Sequence, residues 1–279
     1  MGSVWQTSRF RIDLTRPQVM GIVNTTPDSF SDGGLHLSAR SAIEACDRMI
    51  AEGVDILDIG GESTRPGSLP PAVEDELARV LPVVRHAVTL GVPVSVDTSR
   101  PEVMTAALDT GADIINDVRA LQWPGALQAV AAHARCGVCL MHMQGQPDTM
   151  QVAPAYADVV DEVRQFLAER LACVTGLGIA LERITLDPGY GFGKSLDHNL
   201  TLFRAQAQLQ SLGRPLLVGW SRKGALGQVT GRPAGERMVA SVAAALAAIQ
   251  LGARIVRVHD VAATVDAVKV WQAAGLGQA

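Results

Sequence analysis

The chain has 279 residues, of which 48% are hydrophobic, and its formal net charge is −4 at pH 7. This is long for a single domain, although α/β barrels reach this size as one unit, and so many residues can bury a large core. The small negative net charge argues against a nucleic-acid partner, because nucleic-acid-binding proteins carry a basic patch.

The first 17 residues contain no apolar stretch of the kind found in a signal peptide. No run of 18 apolar residues occurs along the chain, which argues against a membrane partner. We therefore predict a soluble, cytoplasmic protein, and its four cysteines are compatible with a reducing compartment. Residues 3–14, SVWQTSRFRIDL, alternate like a β-strand, so we expect segment 1–17 to be an extension that caps the bottom of the main domain.

Eight apolar segments recur along the chain, with helical or Ala-rich segments between them. Near-continuous apolar strands that alternate with helices are typical of a parallel sheet buried on both faces. Eight such units predict an α/β fold, a (β/α)8 TIM barrel that forms one domain over residues 1–279. A doubly wound open sheet is the alternative. The predicted strands are 18–24, 55–60, 93–98, 113–118, 137–143, 184–189, 215–220 and 254–260.

Polar residues occur where these apolar segments end, and in a barrel of this type the chemistry lies at the carboxyl ends of the strands. Helix capping can account for Asp117. It explains Asp97, Asn116 and Asp187 less well, because each lies within or directly after its strand, so we interpret these three as ligand contacts. The strand-end polar residues are Asn24, Asp58, Glu62, Asp97, Asn116, Asp117, His142, Asp187, Arg257 and His259.

Two loops rich in glycine and hydroxyl groups follow the first two strands, at 24–34 and 60–68. Such loops can be simple turns, but on the active face of a barrel they can also form a lid. Arg65, which follows Ser63 and Thr64, suits a phosphate group because its planar guanidinium offers several donors. Arg257 and His259 are two residues apart on the last strand, so they share one face, and we predict that they bind an anion.

The segment ITLDPGYGFGKS, residues 184–195, ends like a phosphate-binding P-loop. The position of the first P-loop glycine is occupied by Pro188, however, and no second nucleotide-binding motif supports ATP. We instead predict a strand end that presents Asp187, followed by a tight glycine turn in which Lys194 is a solvated loop lysine. The pair Cys136 and Cys139 has metal-ligand spacing, but no second pair completes a zinc site, so we predict core thiols.

Eight motifs in chain order resemble those of dihydropteroate synthases and together cover all eight units. The resemblance implies a (β/α)8 barrel that is usually a homodimer. It also implies an enzyme that joins 6-hydroxymethyl-7,8-dihydropterin diphosphate to 4-aminobenzoate, releasing diphosphate and giving 7,8-dihydropteroate for folate synthesis, with sulfonamides as mimics of the aminobenzoate. The motifs are GIVNTTPDSFSDGG, DIGGESTRPG, VDTSRPEV, INDV, LMHMQG, LDPGYGFGK and GWSRKG, followed by a closing VRVHDV.

Carried over motif by motif, the resemblance assigns a role to each matching residue and implies Mg2+ as the cofactor. The implied pterin-binding residues are Asp97, Asn116, Met141, Asp187 and Lys223. The implied diphosphate contacts are Thr64, Arg65, Arg257 and His259, and the implied metal contact is Asn24. The implied aminobenzoate contacts are Thr64, Pro66, Phe192, Ser221 and Arg222. The implied catalytic residues are Asp97, Asp187, Lys223, Arg257 and His259.

These residue types suit an SN1-like displacement. Cations and Mg2+ neutralise the leaving diphosphate, and carboxylates stabilise the electron-poor pterin methylene. The aniline nitrogen is already neutral at pH 7, so no strong general base is required. Two alternatives are a methyltransferase barrel acting on methyltetrahydrofolate and a catalytically silent paralogue that binds pterin. The first has no need for NTTPDSF, STRPG or RVH, and the second is expected to lack some loop or phosphate residues, all of which are present here.

Overall fold

The structure is a computed structural model that describes residues 4–25, 34–62, 71–146 and 149–276. The strands in these residues are β1 Val4–Gln6, β2 Arg11–Asp13, β3 Gln18–Asn24, β4 Ile56–Gly60, β5 Val94–Asp97, β6 Ile114–Asp117, β7 Gly137–Met141, β8 Ile184–Asp187, β9 Leu216–Val218 and β10 Ala253–Val258. The α-helices are α1 Gly34–Ala51, α2 Val73–Ala87, α3 Pro101–Thr110, α4 Ala126–Ala132, α5 Val159–Gly176, α6 Leu196–Arg204, α7 Gly224–Thr230, α8 Met238–Gln250 and α9 Val261–Ala273.

Strands β3 to β10 form a closed barrel in which neighbours in sequence are neighbours in space. The last strand pairs in parallel with the first, for example through Arg257 opposite Met20, which closes the sheet. This closure confirms the predicted (β/α)8 barrel and excludes the open sheet. Every residue of β4, β6, β7 and β8 is buried. This is expected for a parallel barrel, because one face of each strand packs in the barrel interior and the other packs against the helices.

The antiparallel hairpin of β1 and β2 lies at the amino-terminal end of the barrel. Its Trp5 and Ile12 pack against inward-facing strand residues such as Met20 and Ile255. The indole Nε1 of Trp5 donates to the carbonyl of Arg183 over 2.8 Å. The opposite end of the barrel is formed by the carboxyl ends of the strands.

The strand register aligns polar residues at this carboxyl end. Asn24 is opposite Gly60, Gly60 is opposite Asp97, and Asp97 is opposite Asn116. Asp58 is two residues before Gly60 and therefore points to the same face, one layer deeper. These side chains consequently converge at the mouth of the barrel.

The cysteine prediction is confirmed, since Cys136 and Cys139 are buried, free thiols. The Ala-rich helix α8 buries Ala244, Ala245 and Ala248.

Across the ranges that the structure describes, no helix combines the length and the apolar character that crossing a membrane requires.

Candidate active site

The guanidinium of Arg257 lies between two carboxylates at the barrel mouth. Its Nε is 2.6 Å from Oδ2 of Asp58, and its Nη2 is 2.8 Å from Oδ2 of Asp97. Asn116 donates from Nδ2 to the same oxygen of Asp58 over 3.3 Å. Asp58, which is fully buried, therefore orients Arg257 from below. Asp58 was predicted to lie at a strand end, but no contact or function was predicted for it. An acidic residue within an apolar strand was the feature of the sequence that indicated a buried charge inside the barrel.

These charges perturb one another strongly. Burial raises the pKa of Asp97 to about 8, although Arg257 opposes the shift, and the nearby carboxyls of Asp58 and Glu62 add to it. Burial disfavours the Arg257 charge, but Asp58 and Asp97 outweigh this effect and raise its pKa further. Arg257 is therefore a permanent cation, whereas the charge of Asp97 depends on what lies beside it.

A second acid and a second base lie nearby, with Asp187 at the end of β8 and Lys223 directly before α7. Asp187 is buried at the end of β8 and accepts a hydrogen bond from the Gly189 N–H over 2.7 Å. Burial raises the pKa of Asp187, and Lys223 is the largest opposing influence. Burial also lowers the pKa of Lys223 to about 8, with Asp187 opposing. The Nζ of Lys223 donates to the Tyr190 carbonyl and lies 4.7 Å from the centroid of the Phe192 ring.

A third group of predicted residues surrounds the turn after β9. The hydroxyl oxygen of Ser221 accepts from the backbone N–H of His259 and lies 3.0 Å from its Nδ1. Arg222 has a left-handed backbone, with φ of 58°, and its N–H donates to Ser241 Oγ. The Arg222 guanidinium forms a bidentate pair with Asp260, at 2.5 and 3.1 Å. Asp260 thus holds Arg222, a contact that the sequence did not predict.

The structure brings most predicted site residues to one end of the barrel. Met141 is buried at the end of β7, opposite Asp187. Asn24 ends β3 with an exposed side chain. The predicted residues Thr64, Arg65 and Pro66 lie outside the described residues, as does most of the loop predicted at 24–34.

The glycine loop after β8 is not a phosphate cradle. Three of its N–H groups are used internally, since Gly189 donates to Asp187, Gly191 to Asn199 Oδ1 and Phe192 to the Gly189 carbonyl. Gly189 has φ of 67°, and a Cβ there would overlap the carbonyl oxygen of His142. Gly193 has φ of 61°, and a Cβ there would overlap the carbonyl oxygen of Gln144. The glycines therefore allow close packing against the loop after β7, and the P-loop alternative is wrong.

The prediction that Lys194 is a solvated lysine is also wrong. Its side chain is buried, with the residue only 2% exposed, and Nζ lies 2.9 Å from His142 Nδ1. Burial lowers the pKa of Lys194, and Asp187 opposes this shift. Burial and the nearby Lys194 lower the pKa of His142 to about 2, so His142 is neutral. Residues distant in sequence supply this environment, and local composition did not reveal it.

Arg119 is a further buried cation at the rim that the sequence did not identify. It donates to Ser99 Oγ over 2.8 Å and to Glu62 Oε1 over 3.3 Å. Asp117 accepts from the Ser99 hydroxyl and from the backbone N–H groups of Arg119 and Leu121. Asp117 therefore organises the turn after β6, which agrees with its interpretation as a local capping residue.

The donor set at the mouth suits a weakly coordinated Mg2+. In the described part of the chain, no group of three His, Cys, Asp or Glu side chains is arranged to hold a metal ion. Asn24 offers one amide oxygen from an exposed strand end. Mg2+ usually keeps several waters and binds through few protein oxygens together with substrate phosphates, so the residues present fit this ion.

Comparisons with known proteins agree with this geometry. The family model described as "Pterin binding enzyme" matches residues 20–259. Dihydropteroate synthase of Neisseria meningitidis serogroup C is 53% identical over 277 residues, which is 98% of both chains. The Escherichia coli K12 enzyme is 51% identical over 94% of this chain and 93% of its own.

Solved structures give the same result. The Xanthomonas albilineans dihydropteroate synthase with 4-aminobenzoic acid superposes with a TM-score of 0.89 at 52% identity, over 95% of each chain. The Burkholderia cenocepacia enzyme complexed with 7,8-dihydropteroate has a TM-score of 0.89 at 50% identity, over 98% of this chain and 96% of its own. The chain therefore belongs to the dihydropteroate synthase family of pterin-binding transferases.

Proposed function

We propose that this protein condenses 6-hydroxymethyl-7,8-dihydropterin diphosphate with 4-aminobenzoate, giving 7,8-dihydropteroate and diphosphate for folate synthesis in the cytoplasm. The observation that carries this proposal is the set of buried carboxyls near cations at the barrel mouth: Arg257 donates to Asp97 over 2.8 Å, and Lys223 lies close enough to Asp187 to oppose the rise of its pKa. Relatives solved with 4-aminobenzoic acid and with 7,8-dihydropteroate support the proposed amine substrate and the proposed product.

The pterin is held by Asp97, Asn116, Met141, Asp187 and Lys223. Its amino-oxo edge presents adjacent N–H donors, which the buried carboxylate of Asp187 accepts. A site built in this way rejects ligands without the matching donors, because its buried polar groups would be left unpaired. Lys223, which lies near enough to Asp187 to influence its pKa, supplies a donor to an acceptor atom of the pterin.

The diphosphate is neutralised by cations near β10. Arg257 keeps its charge because two buried carboxyls raise its pKa, and His259 lies beside Ser221 at the end of the same strand. Thr64 and Arg65 complete this subsite. Bound through Asn24, Mg2+ would neutralise part of the diphosphate charge.

Bond breaking is SN1-like and places positive charge on the pterin. Burial disfavours ionised Asp97 in the free protein, so a cation forming beside it stabilises the carboxylate more in the transition state than in the ground state. Asp187 acts in the same way. Phe192, Ser221, Arg222, Thr64 and Pro66 position the 4-aminobenzoate. Its neutral amine attacks the methylene without a strong general base, and the resulting ammonium then loses one proton to water.

Diphosphate release from the dihydropterin diphosphate tests the proposal. It is measured with Mg2+, with and without 4-aminobenzoate, alongside detection of dihydropteroate. We expect release coupled to dihydropteroate, and some release without the amine if cleavage precedes attack. Pterin binding with neither release nor product would replace the synthase with a silent pterin-binding protein.

Replacing Asn24 with Ala should raise the Mg2+ concentration for half-maximal turnover by at least roughly tenfold, because the only proposed protein oxygen on the ion is lost. A magnesium titration of steady-state turnover measures this. Asn24→Asp is the matched control, since it keeps an oxygen at the same place. An unchanged Mg2+ requirement in Asn24→Ala would remove Asn24 from the metal site.

A homodimer is proposed as the working assembly. The family resemblance supports it, and apolar side chains on α7, α8 and α9 are largely exposed in the single chain: Val229 at 59%, Val239 at 75% and Val270 at 70%. Light scattering after size-exclusion chromatography should give twice the 29.4 kDa chain mass. A mass of one chain at micromolar concentration would contradict the dimer.

A further inference from the structure

The loop between Asp187 and Lys194 is held by side chains along its whole backbone. From Gly189 to Gly193, each carbonyl oxygen accepts a hydrogen bond from a side chain. The donors are Lys194 to Gly189 at 2.9 Å and to Phe192 at 3.1 Å, Gln151 to Gly191 at 2.7 Å, Tyr156 to Gly193 at 2.7 Å, and Lys223 to Tyr190. Five consecutive carbonyls held in this way define one conformation for the loop.

Among these donors, Lys194 contacts the largest number of acceptor atoms. Its Nζ contacts two loop carbonyls and the ring nitrogen Nδ1 of His142, which lies 52 positions earlier in the chain. A buried amino group is costly unless its hydrogen bonds are made, and here three partners surround it. The backbone N–H of His142 in turn donates to the Asp187 carbonyl over 2.9 Å. Lys194 therefore ties the loop to the ends of both β7 and β8.

The loop controls two residues of the proposed active site. The N–H of Gly189 donates to the Asp187 carboxylate, and the carbonyl of Gly189 is held by Lys194. The carbonyl of Phe192 is also held by Lys194, and the Phe192 ring faces Lys223. A shift of the Lys194 amino group would therefore move residues proposed to bind both substrates, although Lys194 is itself outside the proposed contacts.

We propose that Lys194, assisted by Tyr156, is a positioning residue for the condensation: its buried Nζ fixes Gly189 and Phe192 against His142, and so orients the Asp187 carboxylate and the Phe192 ring. This inference rests on the proposed function, which it deepens. The inference gives a role to Lys194, the lysine of the GFGK segment, in a loop that is not a phosphate cradle.

The test compares Lys194→Met with Arg183→Met. Arg183 is the matched control because it is also a buried cation that donates to backbone carbonyls, those of Val130, His133 and Cys136, but near the hairpin of β1 and β2. Calorimetric titration with 7,8-dihydropteroate gives two separate quantities. The dissociation constant reports the affinity of the folded protein, and the number of binding sites per chain reports the fraction of the protein that is folded. Steady-state kinetics give the KM for 4-aminobenzoate.

Lys194→Met should lower the affinity for dihydropteroate roughly tenfold to a hundredfold and raise the KM for 4-aminobenzoate, because the hydrogen bonds from its buried amino group to Gly189 and Phe192 are lost. Arg183→Met should lower the melting temperature while its folded fraction keeps wild-type affinity and KM. Wild-type affinity and KM in Lys194→Met would overturn the inference, as would equal losses of affinity in both variants.

Tyr156→Phe keeps the inference testable should Lys194→Met not fold. It removes one hydroxyl, and with it one hydrogen bond to the loop, so the KM for 4-aminobenzoate should rise about two- to tenfold. An unchanged KM in this variant would overturn the inference. A wild-type protein that neither binds dihydropteroate nor forms it would instead overturn the proposed function and the inference with it.

Discussion

Replacing Asp187 with Asn is expected to reduce turnover at least roughly a thousandfold and to weaken pterin binding severely. The buried carboxylate offers two acceptor oxygens, whereas the amide places an NH2 group opposite pterin N–H donors. That mismatch leaves polar groups unpaired around a buried side chain. Pterin affinity by calorimetry and turnover by diphosphate release measure the two effects.

The fold should tolerate this substitution, because Asn has nearly the same volume and its oxygen can still accept from the Gly189 N–H. A melting temperature close to that of the wild type would show this. Asp266→Asn is the control for the chemical change, since Asp266 lies on the exposed side of α9 with its side chain 79% exposed. Pterin affinity and turnover within a factor of three of wild type in Asp187→Asn would contradict the proposed pterin site.

Replacing Arg257 with Met is expected to affect both activity and stability. Turnover should fall because the diphosphate loses its permanent cation. The free energy of unfolding should fall by about 3 kcal/mol, because Asp58 loses its ion-pair partner at 2.6 Å and Asp97 loses a hydrogen-bond donor at 2.8 Å. Arg257→Lys keeps a charge but not the fork that reaches both carboxylates, so its losses should be smaller. Urea unfolding and turnover assays distinguish these cases.

The stability loss should depend on pH in a defined direction. Burial raises the pKa of Asp97 to about 8 even with Arg257 present, so it rises further without the guanidinium. Below pH 8, Asp97 carries a proton in both folded proteins, and the unfolded carboxyl has lost its proton above about pH 4. Above pH 8, Asp97 of the folded wild type ionises, so its contribution to the free energy of unfolding stops changing with pH. Asp97 of the folded variant keeps its proton, so the free energy of unfolding of the variant continues to fall as the pH rises. The difference in unfolding free energy should therefore be larger at pH 9.5 than at pH 7. A difference that is constant or smaller at pH 9.5 would contradict this account of Asp97.

Local patterns in the sequence were enough to locate the strands. All eight barrel strands lie within the predicted segments or differ from them by one or two residues, as for β3 at Gln18–Asn24 and β10 at Ala253–Val258. The reason is that a parallel strand buried on both faces must be apolar along its length, so its composition reports its burial directly. Polar residues at or near the ends of most strands were equally visible, which placed Asp97, Asn116 and Asp187 at one end of the barrel.

Only the tertiary structure decided which of these residues meet. The pairing of β10 with β3 closes the barrel, and Arg257 thereby reaches Asp58, 199 positions away in sequence. The same holds for Lys194, which follows glycines in a polar loop and is buried only because His142 and the turn after β8 surround it. The apolar composition of a strand indicates by itself that the strand is buried. The partners of a charged side chain come from distant segments, and the sequence of one segment does not specify them.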